Sequence, residues 1–269
     1  MTFDAQSVAA HLRSAGWAKM RLTNGQADTL AKVLQSAGDF FDRPLEDKHA
    51  YSSQDGNHGY RTFGVEYSIT PERPDVNESF SLWSDRLELI PRAADLGEFG
   101  NLLLAWQEIV ATTSEAILES LARSFDHAGG VAFRTASSVQ VNEYSVGPED
   151  RDCLQDRHED GHIITLVHGT KPGLELFVDD APTPIDTARD ELVVMPGSIL
   201  SALTGGAVAP LFHQVRNLGL AGRQSIMYFV NPELGHPIHT WAGDRDVDLR
   251  DEVRDRPNAF GLPDVPILR

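Results

Sequence analysis

One cysteine, Cys153, stands in the whole chain. No intrachain disulfide can form, and a cysteine-rich zinc site is excluded. Basic residues are also scarce: 23 Lys and Arg face 40 Asp and Glu, for a formal net charge of −17. Such a surface repels phosphate backbones and anionic lipid, so neither a nucleic acid nor a membrane is expected as partner. No apolar run approaches the length that spans a bilayer, and the first twenty residues lack the apolar core of a signal peptide. A cytoplasmic location is the expectation. Low-complexity tracts, internal repeats and Pro/Gly/Ser-rich linkers are missing too. The 269 residues, 41% hydrophobic, are therefore read as a single domain. Its expected parts are a helix-rich stretch (1–135), a β core (136–232) and a tail (233–269).

Apolar residues recur at helical spacing over 4–15, with Gly16 as a stop, and again from Gln26 to Phe41 (Leu30, Val33, Leu34, Ala37, Phe41). Trp17–Leu22 alternates as a short strand, and Asn24-Gly25 reads as a turn. A broad stripe from Leu102 to Phe125 predicts a helix over 94–127, closed by Gly129-Gly130. From residue 137 the pattern changes to short β-branched and apolar runs: 138–144, 163–168, 174–178, 191–195, 211–215 and 224–230. Each is set off by turn residues. One charged helix is expected over 246–255. The fold class is thus mainly β with flanking helices, an antiparallel double sheet of sandwich or barrel type.

In the run Arg157-His158-Glu159-Asp160-Gly161-His162, residues two apart on an extended segment point the same way, so His158 and Asp160 can face inward together. An imidazole and a carboxylate make two-thirds of a facial metal triad, and the third ligand must come from another strand. His213, in Leu211-Phe212-His213-Gln214-Val215, is the candidate. Two histidines and one carboxylate on one face leave three positions open, which suits non-haem iron(II) and O2. A short His-x-Asp pattern is common by chance, so its company matters. Arg223 and Ser225 share one face of a strand, and a guanidinium fork beside a hydroxyl is a receptor for a buried carboxylate, such as the far end of 2-oxoglutarate. Asn142 and Tyr144 also share a face and can donate to the same ligand.

The ordered set Asn142-x-Tyr144, His158-x-Asp160 with Thr165, Gly173-Leu174-Glu175-Leu176-Phe177, Pro196-Gly197, His213 and Arg223-x-Ser225 resembles the isopenicillin N synthase-like family of iron(II)/2-oxoglutarate oxygenases. Looser matches extend upstream through Gly16-Trp17, Phe40–Pro44 with Lys48, Gly59-Tyr60 and Asn77–Phe80. The resemblance implies a double-stranded β-helix (jelly-roll) core. It implies His158, Asp160 and His213 as iron ligands, Arg223 with Ser225 as the 2-oxoglutarate carboxylate pair, and Asn142 and Tyr144 beside that co-substrate. Asp160 stands where related halogenases carry a small residue, which disfavours halogenation. Oxidation of a C–H bond of a small metabolite is the expected reaction, as hydroxylation, desaturation or cyclisation. An oxidase that needs no 2-oxoglutarate, a zinc hydrolase with the same ligands and a metal-free jelly-roll binding protein are the alternatives.

Candidates for the substrate pocket are Tyr60, Arg61 and Phe63 in Gly59–Gly64, with Arg61 set to pair a substrate carboxylate. His162, Phe229 and Asn231 are further candidates, followed by Phe212 and Trp241, although aromatic strand residues are more often core. His168, His236 and His239 have no partner at useful spacing. The natural substrate and the oligomeric state are not readable from the sequence.

Overall fold

The computed structural model describes residues 4–54, 56–83, 86–233, 237–243 and 245–250. Asp4 accepts from the amide of Gln6 and opens helix α1 (Ala5–Ala15), which Gly16 ends at φ 74°. Strand β1 (Ala18–Arg21) follows. Helix α2 (Asn24–Phe41) starts at the residues expected to form a turn. The reason is a capping box: Thr23 Oγ1 accepts from the Gln26 amide at 3.4 Å while Gln26 Oε1 accepts from the Thr23 amide at 2.9 Å. Asn24-Gly25 is thereby the first turn of the helix. A short α3 (Leu45–His49) and strands β2 (Gly59–Arg61) and β3 (Asn77–Leu82) come next, followed by the long α4 (Gly97–Arg123). The stripe from Leu102 to Leu121 lies on α4, but the helix runs only from Gly97 to Arg123, so Phe125 falls beyond it and the end comes before Gly129-Gly130. The Ser124 hydroxyl donates to the Leu121 carbonyl, and Asp126 turns the chain at φ 57°.

The second half is β4 (Ser138–Tyr144), β5 (Cys153–His158), β6 (Ile164–Gly169), β7 (Leu174–Val178), β8 (Ala181–Pro184), β9 (Glu191–Pro196), a short α5 (Ser198–Leu203), β10 (His213–Arg216) and β11 (Arg223–Val230). A small ribbon joins β12 (Ile238–His239) to β13 (Asp246–Val247). The charged helix expected over 246–255 is therefore not seen at its start, and its residues from 251 on lie outside the described residues, as does His236. Among the described residues, no helix is long and apolar enough to cross a membrane.

Among the described residues all strand pairings are antiparallel. One sheet runs β1-β9-β6-β11-β4-β3-β2 and faces a second that runs β5-β10-β7-β8. This is the double sheet of a jelly roll, with helices flanking the larger sheet. The period of two divides the work of each central strand. Val139 and Val141 of β4 and Ile226, Tyr228 and Val230 of β11 join the core shared with α1, α2 and α4. The alternate residues Gln140, Asn142 and Tyr144, with Arg223, Ser225, Met227 and Phe229, turn toward the smaller sheet and line a cavity. A second apolar cluster (Val167, Leu174, Leu176, Val193, Met195, Leu211, Met227) packs between the two sheets beside it.

Candidate active site

His158 closes β5 and His213 opens β10, and the two are direct partners in the ladder, with ring centroids 4.3 Å apart. Asp160 comes from the turn after β5. One ligand atom from each of the three lies within 4.8 Å of the others, and Asp160 Oδ1 is 3.8 Å from His158 Nε2 and 3.9 Å from His213 Nε2. The remaining atoms are occupied in a way that suits a metal. His158 Nδ1 donates to the Asp156 carbonyl at 2.7 Å and His213 Nδ1 to the Leu211 carbonyl at 3.4 Å, which leaves both Nε2 lone pairs aimed at the common centre. Thr165 Oγ1 donates to Asp160 Oδ2 at 2.5 Å and frees Oδ1. Burial pushes the Asp160 carboxyl up, but the surrounding imidazoles of His213, His162 and His158 and the Thr165 hydroxyl outweigh it and hold it below its ordinary range. Burial, then His213, pushes His158 below its ordinary value, toward the neutral form a metal needs. Three hard or borderline ligands on one side, with no thiolate, fit iron(II) with open positions.

Gly197 holds this turn from behind. A β-carbon there would come within 2.1 Å of the His162 carbonyl oxygen and 2.8 Å of that of Asp160. The backbone approach is closed by hydrogen bonds from the Gly197 amide to the Ile163 carbonyl and from the Ser198 amide to the Asp160 carbonyl. That contact is the physical content of the Pro196-Gly197 motif.

Across the cavity, Arg223 lies opposite Tyr144 and Ser225 opposite Asn142 in the β11–β4 register. The Arg223 guanidinium is 2% exposed, donates to Ser225 Oγ at 2.7 Å and to the Pro172 carbonyl at 3.2 Å, and stacks 4.8 Å over the Tyr144 ring. Among the described residues no carboxylate pairs with it, and burial pushes its pKa down. Glycines make the room: a β-carbon at Gly169 would lie 3.1 Å from Nη2, and one at Gly173, where φ is +134°, 3.3 Å from Nε. A buried cation without an anion is costly unless a ligand supplies the anion. The site thus fits a dicarboxylate held at one end by Arg223 and Ser225.

The other expected pocket residues divide. Arg61, His162 and Phe229 line the cavity. His162 stacks on Phe229 with centroids 4.4 Å apart, and its Nδ1 meets Asn231 Oδ1 at 2.6 Å, so Asn231 supports the pocket from behind. Tyr60 faces the opposite side of the sheet, where its hydroxyl donates to Glu78 at 2.6 Å among the rings around Phe40. Phe63 is half exposed and is not part of the cavity wall, and neither is Phe212 or Trp241. Arg61 is tied to Glu66, to the Gly56 carbonyl and to Ser81, and so is already engaged. The sequence reading missed Glu66, Ser68, Asp75, Gln140 and Gln155. Gln140 was within reach, because it extends the Asn142-x-Tyr144 alternation by one step. The 64–75 loop has no periodicity to betray it.

Comparison with known proteins decides the family. Residues 136–232 match the 2OG-Fe(II) oxygenase superfamily, and residues 5–94 match the N-terminal region described as non-haem dioxygenase in morphine synthesis. The chain belongs to the 2OG-Fe(II) oxygenases. Similar proteins include a UPF0676 protein of Schizosaccharomyces pombe, 28% identical over 78% of this chain and 72% of that one. Leucoanthocyanidin dioxygenase of Perilla frutescens is 22% identical over 78% of this chain, which spans 61% of that enzyme's length. Among solved structures, a protein of the 2OG-Fe(II) oxygenase family from Caulobacter crescentus superposes with a TM-score of 0.77 at 21% identity, covering 94% of this chain and 93% of the other. As a 2OG-Fe(II) oxygenase, the protein uses iron(II), 2-oxoglutarate and O2 and acts on a small molecule. This agrees with the family that the sequence motifs resemble.

Proposed function

We propose that this oxygenase hydroxylates a C–H bond of a free small metabolite, with iron held by His158, Asp160 and His213 and the distal carboxylate of 2-oxoglutarate held by Arg223 and Ser225. The observation that carries the reading is the buried, carboxylate-free guanidinium of Arg223 in the same cavity as the triad. When bound, iron(II) with 2-oxoglutarate and O2 supplies the oxidising power, and 2-oxoglutarate leaves as succinate and carbon dioxide. The chain's own residues bind, orient and keep water out. Asn142 and Tyr144 continue the polar wall beside Arg223, with Tyr144 donating to Gln155 at 3.2 Å and Asn142 donating to Tyr144 at 3.4 Å. Val167, Leu174, Met195 and Met227 close the space around the co-substrate with apolar surface, which strengthens every charge interaction inside. The acidic surface supports a free small molecule, rather than a nucleic acid, as substrate.

Anaerobic titration of the iron(II) protein with 2-oxoglutarate tests the reading. A visible charge-transfer band that is lost in Asp160→Ala and weakened in Arg223→Ala is the expected result. Tight iron binding with no band would mean that Arg223 receives a carboxylate of the substrate itself, as in an oxidase. No iron binding would end the enzyme reading.

A further inference from the structure

The charges lining the cavity fall into sets that cancel, with one left over. Iron(II), Asp160, the 2-oxoglutarate dianion and Arg223 sum to zero. Arg61 is neutralised by Glu66, whose carboxylate is also filled by Asn77 Nδ2 at 2.7 Å and Gln140 Nε2 at 2.9 Å. Arg61 gives three of its five N–H donors to Glu66, Gly56 and Ser81 and its charge is answered by Glu66, so it attracts a substrate carboxylate only weakly. Asp75 remains. It is 3% exposed, lines the cavity, and among the described residues pairs with no lysine or arginine. Among the described residues its carboxylate accepts from Ser68 alone: the amide to Oδ1 at 3.3 Å, and the hydroxyl at 3.1 Å to Oδ1 and 2.9 Å to Oδ2. A carboxylate offers about four acceptor positions, so acceptor capacity remains for a ligand.

We infer that Asp75 is a specificity-determining residue that selects a substrate bearing a protonated amine, placing the cationic group beside Asp75 and a neighbouring C–H bond before the metal site. The inference rests on the oxygenase reading above and deepens it. It also reverses the expectation that the substrate end of the pocket receives a carboxylate at Arg61. A charge-assisted hydrogen bond in a dry site favours the cation over a matched neutral ligand by about tenfold to a hundredfold.

The test uses the anaerobic protein loaded with iron(II) and 2-oxoglutarate, with two matched trios of probes: hexylamine, hexanol and hexanoate, and 2-phenylethylamine, 2-phenylethanol and 3-phenylpropanoate. Perturbation of the charge-transfer band reads binding. Each amine should bind at least about tenfold more tightly than its alcohol and carboxylate counterparts. Asp75→Asn should erase that preference, whereas Ser68→Ala, which keeps the charge and removes an internal donor, should retain it. A carboxylate preference, no binding by any amine, or an amine preference that survives in Asp75→Asn would each overturn the inference. The band itself, read before any probe is added, separates this outcome from failure of the oxygenase reading. If no band forms, thermal shift by the same probes reads the amine preference without requiring iron.

Discussion

A buried guanidinium beside one hydroxyl and one carbonyl costs folding free energy, because burial strips water from a charge that no carboxylate of the described chain answers. Arg223→Met should therefore raise the stability of the iron-free protein by about 1–4 kcal/mol in denaturant titration. The same change should weaken 2-oxoglutarate binding by about a hundredfold or more, through loss of charged hydrogen bonds. A drop in stability would show instead that the guanidinium is held for packing. Asp75 behaves as its acidic counterpart. Burial first, and Glu66 less strongly, lifts its carboxyl to about 6, against the opposing effects of His158 and Ser68. A raised folded-state pKa means that the folded protein binds the proton more tightly than the unfolded chain. The stability contribution is thus complete below about pH 4 and is lost as pH rises through 6. In iron-free protein, Asp75→Asn should match the parent near pH 4 and exceed it by up to about 3 kcal/mol at pH 7.5. Equal stability of the two at pH 7.5 would count against a strained carboxylate at this position.

Among the elements, the turn from His158 to Ile163 is held in place by another segment's backbone. Gly197→Ala puts a methyl group into the carbonyls of Asp160 and His162, so either the turn or the start of α5 must move. Misplacing a ligand by a fraction of an ångström costs affinity. Iron affinity in Gly197→Ala should fall by at least about tenfold with the fold retained, as judged by circular dichroism and metal titration. Unchanged iron affinity would show that the turn yields freely. The same elements explain what could be read in advance. His158, Asp160 and His213 stood out because two are spaced two apart and the third lies in an apolar run, and the β5–β10 ladder with the turn after β5 brings them within 4.8 Å. Strands β4, β6, β7, β9 and β11 stood out by their β-branched runs. Strand β3 did not, because its cavity face is Asn77, Ser79 and Ser81, polar and buried together, with Glu78 on the other face engaged by Lys48 and Tyr60. A polar inner face erases the hydrophobic alternation from which strands are recognised. Lys48 was visible only as a motif residue. In the fold it ties α3 to β3, donating to Glu78 at 2.6 Å and to the Phe41 carbonyl at 2.8 Å. Lys48→Met would leave the partly buried Glu78 without its cation and should destabilise the protein by about 2–4 kcal/mol in urea unfolding. A loss below about 1 kcal/mol would mean that Tyr60 alone satisfies Glu78.

The site also joins the two sheets of the molecule. His158 and His213 belong to β5 and β10 of the smaller sheet, whereas Thr165, Arg223 and Ser225 belong to β6 and β11 of the larger one. Metal and co-substrate held as proposed would therefore cross-link two layers that otherwise meet through apolar clusters around Leu176 and Met195 and around Tyr144, Leu154 and Val215. Ligands that bind only the folded state stabilise it by an amount set by their concentration over Kd, about 2.7 kcal/mol at a hundredfold excess. For a chain of this size that corresponds to a rise in Tm of about 5–10 °C. The cross-link makes the two increments dependent on each other in a defined order. In scanning calorimetry under argon, iron(II) should raise Tm on its own, and 2-oxoglutarate should add its full increment only when iron is present. His213→Ala should abolish both increments, because the chelating end of the co-substrate then has no metal. Arg223→Met should keep the iron increment and lose most of that from 2-oxoglutarate. If 2-oxoglutarate stabilised the His213→Ala protein as much as the parent, Arg223 and Ser225 would be holding it without the metal. The two layers would then be joined by the apolar clusters and not by the site.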